Sequence, residues 1–327
     1  MIISRTPYRI SFFGGGTDYP DWYLKNGGQV LSTTIDKYVH ITCRYLPPFF
    51  DHKIQLVYSK IERVKNIDEL THPSAREVIK YLNINDGLEI HYDGDLPSRS
   101  GIGSSSAFTV GLLSALYAYK EKMISKHQLA MESIDIEQNI IKEVVGSQDQ
   151  ISAAYGGLNH IKFLTSGEVK VSPLIISNKI IRKLKNNLML FYTGYSRTAE
   201  KVAKSYVENI KDKEKQLKSL NNMVEQSIKM LREDRLEEFG LLMNESWYEK
   251  RSLSNLVSNK EIDELYDKAI SLGALGGKLT GAGGGGFLML FVPEDKQDKL
   301  RNELSNLIFI PFDFENNGNQ IIYYDKN

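Results

Sequence analysis

Three segments of this chain combine small residues with groups able to bind anions or polar ligands. The middle one, Asp95-Leu96-Pro97-Ser98-Arg99-Ser100-Gly101-Ile102-Gly103-Ser104-Ser105-Ser106-Ala107, sets glycines and serines directly before a helical pattern. Glycines let the backbone turn tightly around an anion, and a helix start offers unpaired N–H groups and a positive dipole of about half a charge. Serine hydroxyls add donors and a ligand for magnesium. The segment therefore suits a phosphate group, or else it is a loop before a serine-capped helix. It is not a Walker A loop, because no lysine follows Gly103.

The second segment, Gly281-Ala282-Gly283-Gly284-Gly285-Gly286, satisfies G-x-G-x-x-G, but Phe287-Leu288-Met289-Leu290-Phe291 after it reads as strand. A dinucleotide-binding turn must open a helix, so that reading fails. What remains is a bare backbone able to pass close to a ligand or to another loop, or a structural turn. The third segment runs from Arg5-Thr6-Pro7-Tyr8-Arg9-Ile10-Ser11-Phe12-Phe13 into Gly14-Gly15-Gly16-Thr17-Asp18. An aspartate after such a bend either meets substrate hydroxyls or caps the turn.

Periodicity supplies the elements that must hold these segments. Phe108, Leu112, Leu113, Leu116 and Tyr119 predict a helix from Ser104–Ser106 to about Lys122. Ser125 and Gln128 have capping-box spacing for a second helix that runs to about Val145, where Gly146 stops it. Short β-rich runs, Val39–Tyr45 and Leu88–Tyr92, complete an α+β first lobe. From Tyr195 to Leu253 the spacing of Met223, Ile228, Leu231, Phe239 and Leu242 predicts amphipathic surface helices. A strand Leu188–Tyr192, a helix over Lys260–Leu272, a strand Phe287–Val292, a helix over Asp295–Leu307 and the final strands predict a helix-on-sheet second lobe, with the boundary near residue 180.

Composition narrows the function classes. At 327 residues, two lobes around one cleft are expected. Lys+Arg and Asp+Glu both total 41, so no global field gathers nucleic acid or anionic membrane, and any anion site must be local. A single cysteine, Cys43, excludes an intrachain disulfide and cysteine-clustered metal sites and fits a reducing compartment. His40, His91 and His160 show no metal-ligand spacing and read as structural. No apolar run approaches the roughly 20 residues of a membrane span, so a soluble, cytoplasmic protein is expected.

Taken in order, the three segments resemble the signature motifs of the GHMP kinases, the superfamily of galactokinase, homoserine kinase and mevalonate kinase, and the likeness spans almost the whole chain. Gly101-Ile102-Gly103-Ser104-Ser105 is its most specific part. The resemblance implies an α+β, two-lobe GHMP kinase fold: residues 1–180 form a lobe like ribosomal protein S5 domain 2, and residues 181–327 a ferredoxin-like lobe. It implies ATP and Mg2+ as cofactors, with Pro97, Arg99, Ser100, Gly101, Ile102, Gly103, Ser104, Ser105 and Ser106 as nucleotide contacts. The opening segment looks most like that of D-glycero-D-manno-heptose 7-phosphate kinases, which phosphorylate the anomeric oxygen to give the 1,7-bisphosphate. An L-fucokinase-like or other sugar-1-kinase, acting on an unphosphorylated sugar, shares nearly every motif. Galactokinases carry a glutamate in place of Gly15, and glycine leaves room for a seventh carbon and its phosphate.

Phosphoryl transfer needs alignment of nucleophile and γ-phosphate together with positive charge. By resemblance, Asp149 is the catalytic aspartate that accepts the proton of the anomeric hydroxyl or orients that hydroxyl, and Arg9 steadies that aspartate and the transferring group. Glu137, 12 residues before Asp149, and Ser105 are the implied magnesium ligands, with Ser104 or Ser106 taking the serine's place in a shifted register. Asp18 matches the aspartate that holds sugar hydroxyls. Gly15, Gly16, Thr17, Gly281, Ala282 and Gly283 complete the substrate side. Arg197 is assigned to the substrate's own phosphate. Lys278 and Arg99 are weaker candidates for that role and are expected to be solvated.

Overall fold

The computed structural model describes residues 1–98, 100–195, 199–208 and 210–325. The first strand, Ile2–Phe13, pairs antiparallel with the 18-residue strand Gly28–Tyr45. Around this hairpin the first sheet runs in the order Gln320–Tyr324, Ile2–Phe13, Gly28–Tyr45, Leu88–Gly94, Ile54–Val57, Ile61–Val64. Asn159–Phe163 and Val169–Pro173 extend it from the start of Gly28–Tyr45, and Phe314–Glu315 pairs at Ile35 and Thr34. The final strands thus return to the first sheet, where the sequence places them in the second lobe.

The helix Ser104–Tyr119 lies across the first two strands. Residues 104–116 are buried except Ser105, as expected of a helix that lacks a polar face. Ser125 caps the next helix, its hydroxyl accepting the Gln128 N–H at 3.1 Å. The Gln128 amide turns to Glu132 instead of closing the box. That helix, Lys126–Asp135, widens into a π turn over Ile136–Ile140, and residues 141–147 are irregular, so it ends well before Val145.

The second sheet is antiparallel, in the order Ile308–Phe309, Leu188–Tyr192, Phe287–Phe291, Gly276–Leu279. Helices Ala199–Val207, Glu214–Arg232, Leu236–Arg251, Lys260–Ser271 and Glu294–Glu303 belong to the same half of the chain; Leu236–Arg251 packs on Gly276–Leu279, and Glu214–Arg232 reaches the strands Ile2–Phe13 and Gly28–Tyr45. Of these, Leu236–Arg251 is more than a surface helix, since Phe239, Met243 and Trp247 are fully buried. Phe239 meets Phe12 and Phe13 edge-on, with ring centroids 5.8 and 5.1 Å apart, and lies 6.2 Å from Phe291. This aromatic joint locks the second sheet to the end of the first strand, just before the Gly14–Asp18 turn. Cys43 is buried in the core. No helix among the described residues is long and apolar enough to cross a membrane.

Candidate active site

The strand Leu88–Gly94 delivers the glycine–serine segment to the start of helix Ser104–Tyr119. Ser100 Oγ donates to Pro97 O at 2.6 Å, and Ile102 is buried, so the loop is pinned at both ends. Gly103 precedes the helix in the left-handed region, and the helix's first turn offers amides without intrahelical partners.

Arg9, from the first strand, is buried beneath this loop. Its Nε and one terminal nitrogen grip Asp149 Oδ1 and Oδ2, each at 2.8 Å, and its other terminal nitrogen donates to Gly101 O at 2.9 Å. The backbone repeats the link, Arg9 N–H to Ile102 O at 3.2 Å. One guanidinium therefore positions the Asp149 carboxylate against the glycine–serine loop through a bidentate, charge-assisted pair. Asp149 stands in the first turn of helix Gln148–Tyr155.

Asp18 is buried beside Asp149. Its Oδ1 accepts the Gly16 N–H at 3.0 Å, its Oδ2 the Gln148 N–H at 3.3 Å, and its carbonyl the Ser147 N–H at 2.9 Å. Burial first, and then the Asp149 charge, push its pKa up. Gly146 follows from this contact and not from a helix end: a Cβ there would stand 2.0 Å from Asp18 Oδ2. Thr17 serves the turn itself, its hydroxyl donating to Gly14 O and accepting the Gln29 N–H.

Glu137 sits in the π turn, fully buried. Ser106 Oγ donates to its Oε2 at 2.9 Å, Gln150 Nε2 donates to the same oxygen, and the Thr109 hydroxyl stands near enough to favour the charged form, while among the described residues Oε1 makes no well-formed hydrogen bond. Burial lifts its pKa to about 7. The serine beside Glu137 is thus Ser106; Ser105 is exposed on the outer side of the same turn, because adjacent helical residues point about 100° apart.

The family model for the GHMP kinases N terminal domain matches residues 69–157, and that for GHMP kinases C terminal matches residues 227–308. Over 311 residues the chain is 31% identical to the D-glycero-alpha-D-manno-heptose 7-phosphate kinase of Campylobacter jejuni, with 91% of each protein covered. This chain is a GHMP kinase. It is also 24% identical to the galactokinase of Pyrococcus furiosus over 90% of both chains, and it is an ATP-dependent sugar kinase. A crystal structure described as a putative sugar kinase from Campylobacter jejuni superimposes with a TM-score of 0.75 at 27% identity, over 98% of this chain and 97% of that one. A D-glycero-D-manno-heptose 1-phosphate kinase from Bacteroides thetaiotaomicron superimposes at 0.81, over 99% and 100%; at 22% identity it bears on the α+β fold alone.

In this GHMP kinase the glycine-rich segment 281–286 packs backbone to backbone on the glycine–serine loop before helix Ser104–Tyr119. A Cβ on Gly101 would lie 2.5 Å from Thr280 O, one on Gly281 2.6 Å from Gly101 Cα, and one on Gly286 2.1 Å from Ser100 O. Of the two open readings, passage near a ligand or near another loop, the loop is what these glycines meet. Gly283 closes on Val257 O instead, and Ala282 is half-buried.

Two lysines reach the same junction. Lys250, 5% exposed on helix Leu236–Arg251, donates to Gly281 O and, at 3.5 Å, to Leu279 O. Lys278, 3% exposed, donates to Phe12 O at 3.1 Å across the lobe boundary. Lys278 is therefore buried and not solvated, because its strand places it in the joint between the sheets. Burial, followed by the Arg9 charge, lowers the Lys250 pKa to about 7; burial, then Lys250 and Arg9, hold Lys278 well below the ordinary range. Sequence reasoning missed Lys250. The available signal was its place on the buried stripe Phe239, Met243, Trp247, Lys250, at three- and four-residue spacing. Arg99 and Arg197 lie outside the described residues.

Proposed function

We propose that this kinase transfers the γ-phosphoryl group of ATP to the anomeric hydroxyl of D-glycero-D-manno-heptose 7-phosphate, giving the 1,7-bisphosphate, in the cytoplasm. The observation that carries the reading is the Arg9 bridge, which sets Asp149 against the phosphate loop with Asp18 buried alongside. Asp149 accepts the proton of the anomeric hydroxyl or orients that hydroxyl; the sugar oxygen bonds to the γ-phosphorus as the bond to the β–γ bridging oxygen breaks, and ADP leaves. Asp18 holds sugar hydroxyls, and a Cβ at Gly15 would make only ordinary contacts, at 3.7 and 3.8 Å, so no backbone presses on this point of the turn. Arg197 pairs with the 7-phosphate.

Magnesium fits the residues present. The buried Glu137 Oε1, which makes no well-formed hydrogen bond among the described residues, is an oxygen ready for a hard cation, and Ser106, beside it, supplies a hydroxyl. No group of three or more His, Cys, Asp or Glu residues suited to a metal occurs among the described residues, which agrees with an ion held largely by nucleotide phosphates and water. When bound, magnesium neutralises charge on the nucleotide's phosphates.

The test is ATP consumption across heptose 7-phosphate, fucose, galactose and mevalonate, with the phosphorylated position read by phosphorus NMR. Turnover confined to heptose 7-phosphate at the anomeric carbon supports the reading; preference for fucose replaces it with the unphosphorylated-sugar alternative.

A further inference from the structure

The side chain of Gln148 has no evident task inside the protein. It opens helix Gln148–Tyr155 one residue before Asp149, and its backbone N–H is committed to Asp18 Oδ2. The residue is 8% exposed, yet among the described residues neither end of its amide finds a hydrogen-bond partner, and Oε1 is completely buried. A primary amide carries two donors and two acceptor lone pairs, and leaving them unmet in the interior costs free energy. Gln150, two residues on, differs at the nitrogen end alone: its Nε2 donates to Glu137, while its Oε1 is likewise buried without a partner among the described residues.

A second orphan faces the same place. A Cβ built on Gly15 would lie 3.7 Å from Gln148 Nε2 and 3.8 Å from Ser11 Oγ, and Ser11 is itself 4% exposed with its hydroxyl unpartnered. Of the three glycines 14–16, Gly15 alone has only ordinary contacts at that position; Gly14 would meet Gln29 O and Gly16 the Leu217 side chain. Two polar groups unsatisfied among the described residues therefore flank Gly15 in the turn that carries Asp18, next to the acid of the reaction.

We propose that Gln148 is a specificity-determining residue whose amide reads one ring hydroxyl of the sugar, with the Ser11 hydroxyl beside it. The inference rests on the reading of this cleft as a sugar site. An amide that both donates and accepts distinguishes a hydroxyl from a hydrogen at the same carbon, because the deoxy sugar leaves the buried amide unmet. Asp149 and Arg9 act on the reacting oxygen, whereas Gln148 acts on the choice of sugar.

The experiment is a cycle between enzyme and substrate. Steady-state kinetics are measured for the wild type, Gln148→Leu and Gln148→Met with the accepted sugar and with its monodeoxy analogues. In the wild type, removal of the hydroxyl that Gln148 reads lowers kcat/KM on the order of tenfold to a hundredfold. In Gln148→Leu the parent sugar loses a similar factor, and removing that one hydroxyl costs nothing further, while the KM for ATP stays within about twofold. Equal losses in wild type and variant at every ring position overturn the proposal. Gln148→Met, nearly the same shape, gives the same readout if Gln148→Leu fails to fold. A wild type that phosphorylates no sugar removes the sugar-site reading and this inference with it; a wild type that turns over, with discrimination unchanged in the variants, removes this inference alone.

Discussion

Arg9 holds both oxygens of Asp149 at 2.8 Å and gives its remaining terminal nitrogen to Gly101 O. One guanidinium therefore ties Asp149 to the glycine–serine loop. Asp149→Asn keeps the shape and removes the carboxylate, and turnover is expected to fall by about 10²–10⁴ with ATP affinity nearly unchanged. Arg9→Lys loses the planar fork and should lower turnover while also weakening ATP, since the loop contact goes too. Nucleotide titration alongside steady-state kinetics separates the two outcomes; retained activity in Asp149→Asn would refute the assignment.

Glu137 carries the magnesium prediction. Ser106→Ala, which removes the hydroxyl that orients it, should raise the free Mg2+ needed for half-maximal rate by about tenfold, and Glu137→Gln should raise it further. The same acid has a stability signature without metal. Its folded pKa, about 7, lies above its ordinary 4.5, so its contribution is fully present below pH 4.5 and is lost as the pH rises through 7. Glu137→Gln should therefore be more stable than the wild type at pH 8 and lose that advantage near pH 5, as followed by thermal melts in chelator.

Lys250 titrates in the opposite sense. Its folded pKa of about 7 is below the ordinary 10.5, so between these values the unfolded chain binds the extra proton. Stability should rise with pH across that window, by at most about 1.4 kcal/mol per pH unit from this group, and the penalty should be complete below pH 7. In Lys250→Met the rise should shrink, leaving the share due to Lys278. Urea midpoints between pH 6.5 and 9.5 measure it, on the order of three pH units of the linkage window; an unchanged slope would place Lys250 outside the buried cluster.

Gly101→Ala tests the packing of the two glycine segments. The new Cβ would meet Thr280 O at 2.5 Å, and the residue has a φ of +81°. A loss of about 1–3 kcal/mol is expected, together with a larger rise in the KM for ATP than for the sugar. Denaturant unfolding and two-substrate kinetics read both effects.

The loop before helix Ser104–Tyr119, the capped helix after Ser125, the strand Leu188–Tyr192 and the turn that carries Asp18 were legible in the chain, because each depends on local backbone preference or short-range spacing. Asp149, Arg9 and Glu137 were assigned by family likeness, and their partners became visible only in three dimensions.

What the sequence determined by itself was therefore local: which residues bend, which start a helix, and which alternate on a strand, all governed by forces acting within a few residues. Tertiary structure decided the rest, since burial and close approach depend on segments far apart in the chain. Long-range packing put Lys278 into the lobe joint, brought Gly281 onto Gly101, left Gly146 no room for a side chain against Asp18, and turned Ser106 rather than Ser105 toward Glu137. It also carried the final strands back to the first sheet, where the outer edge of Ile2–Phe13 offered unpaired backbone groups to Gln320–Tyr324.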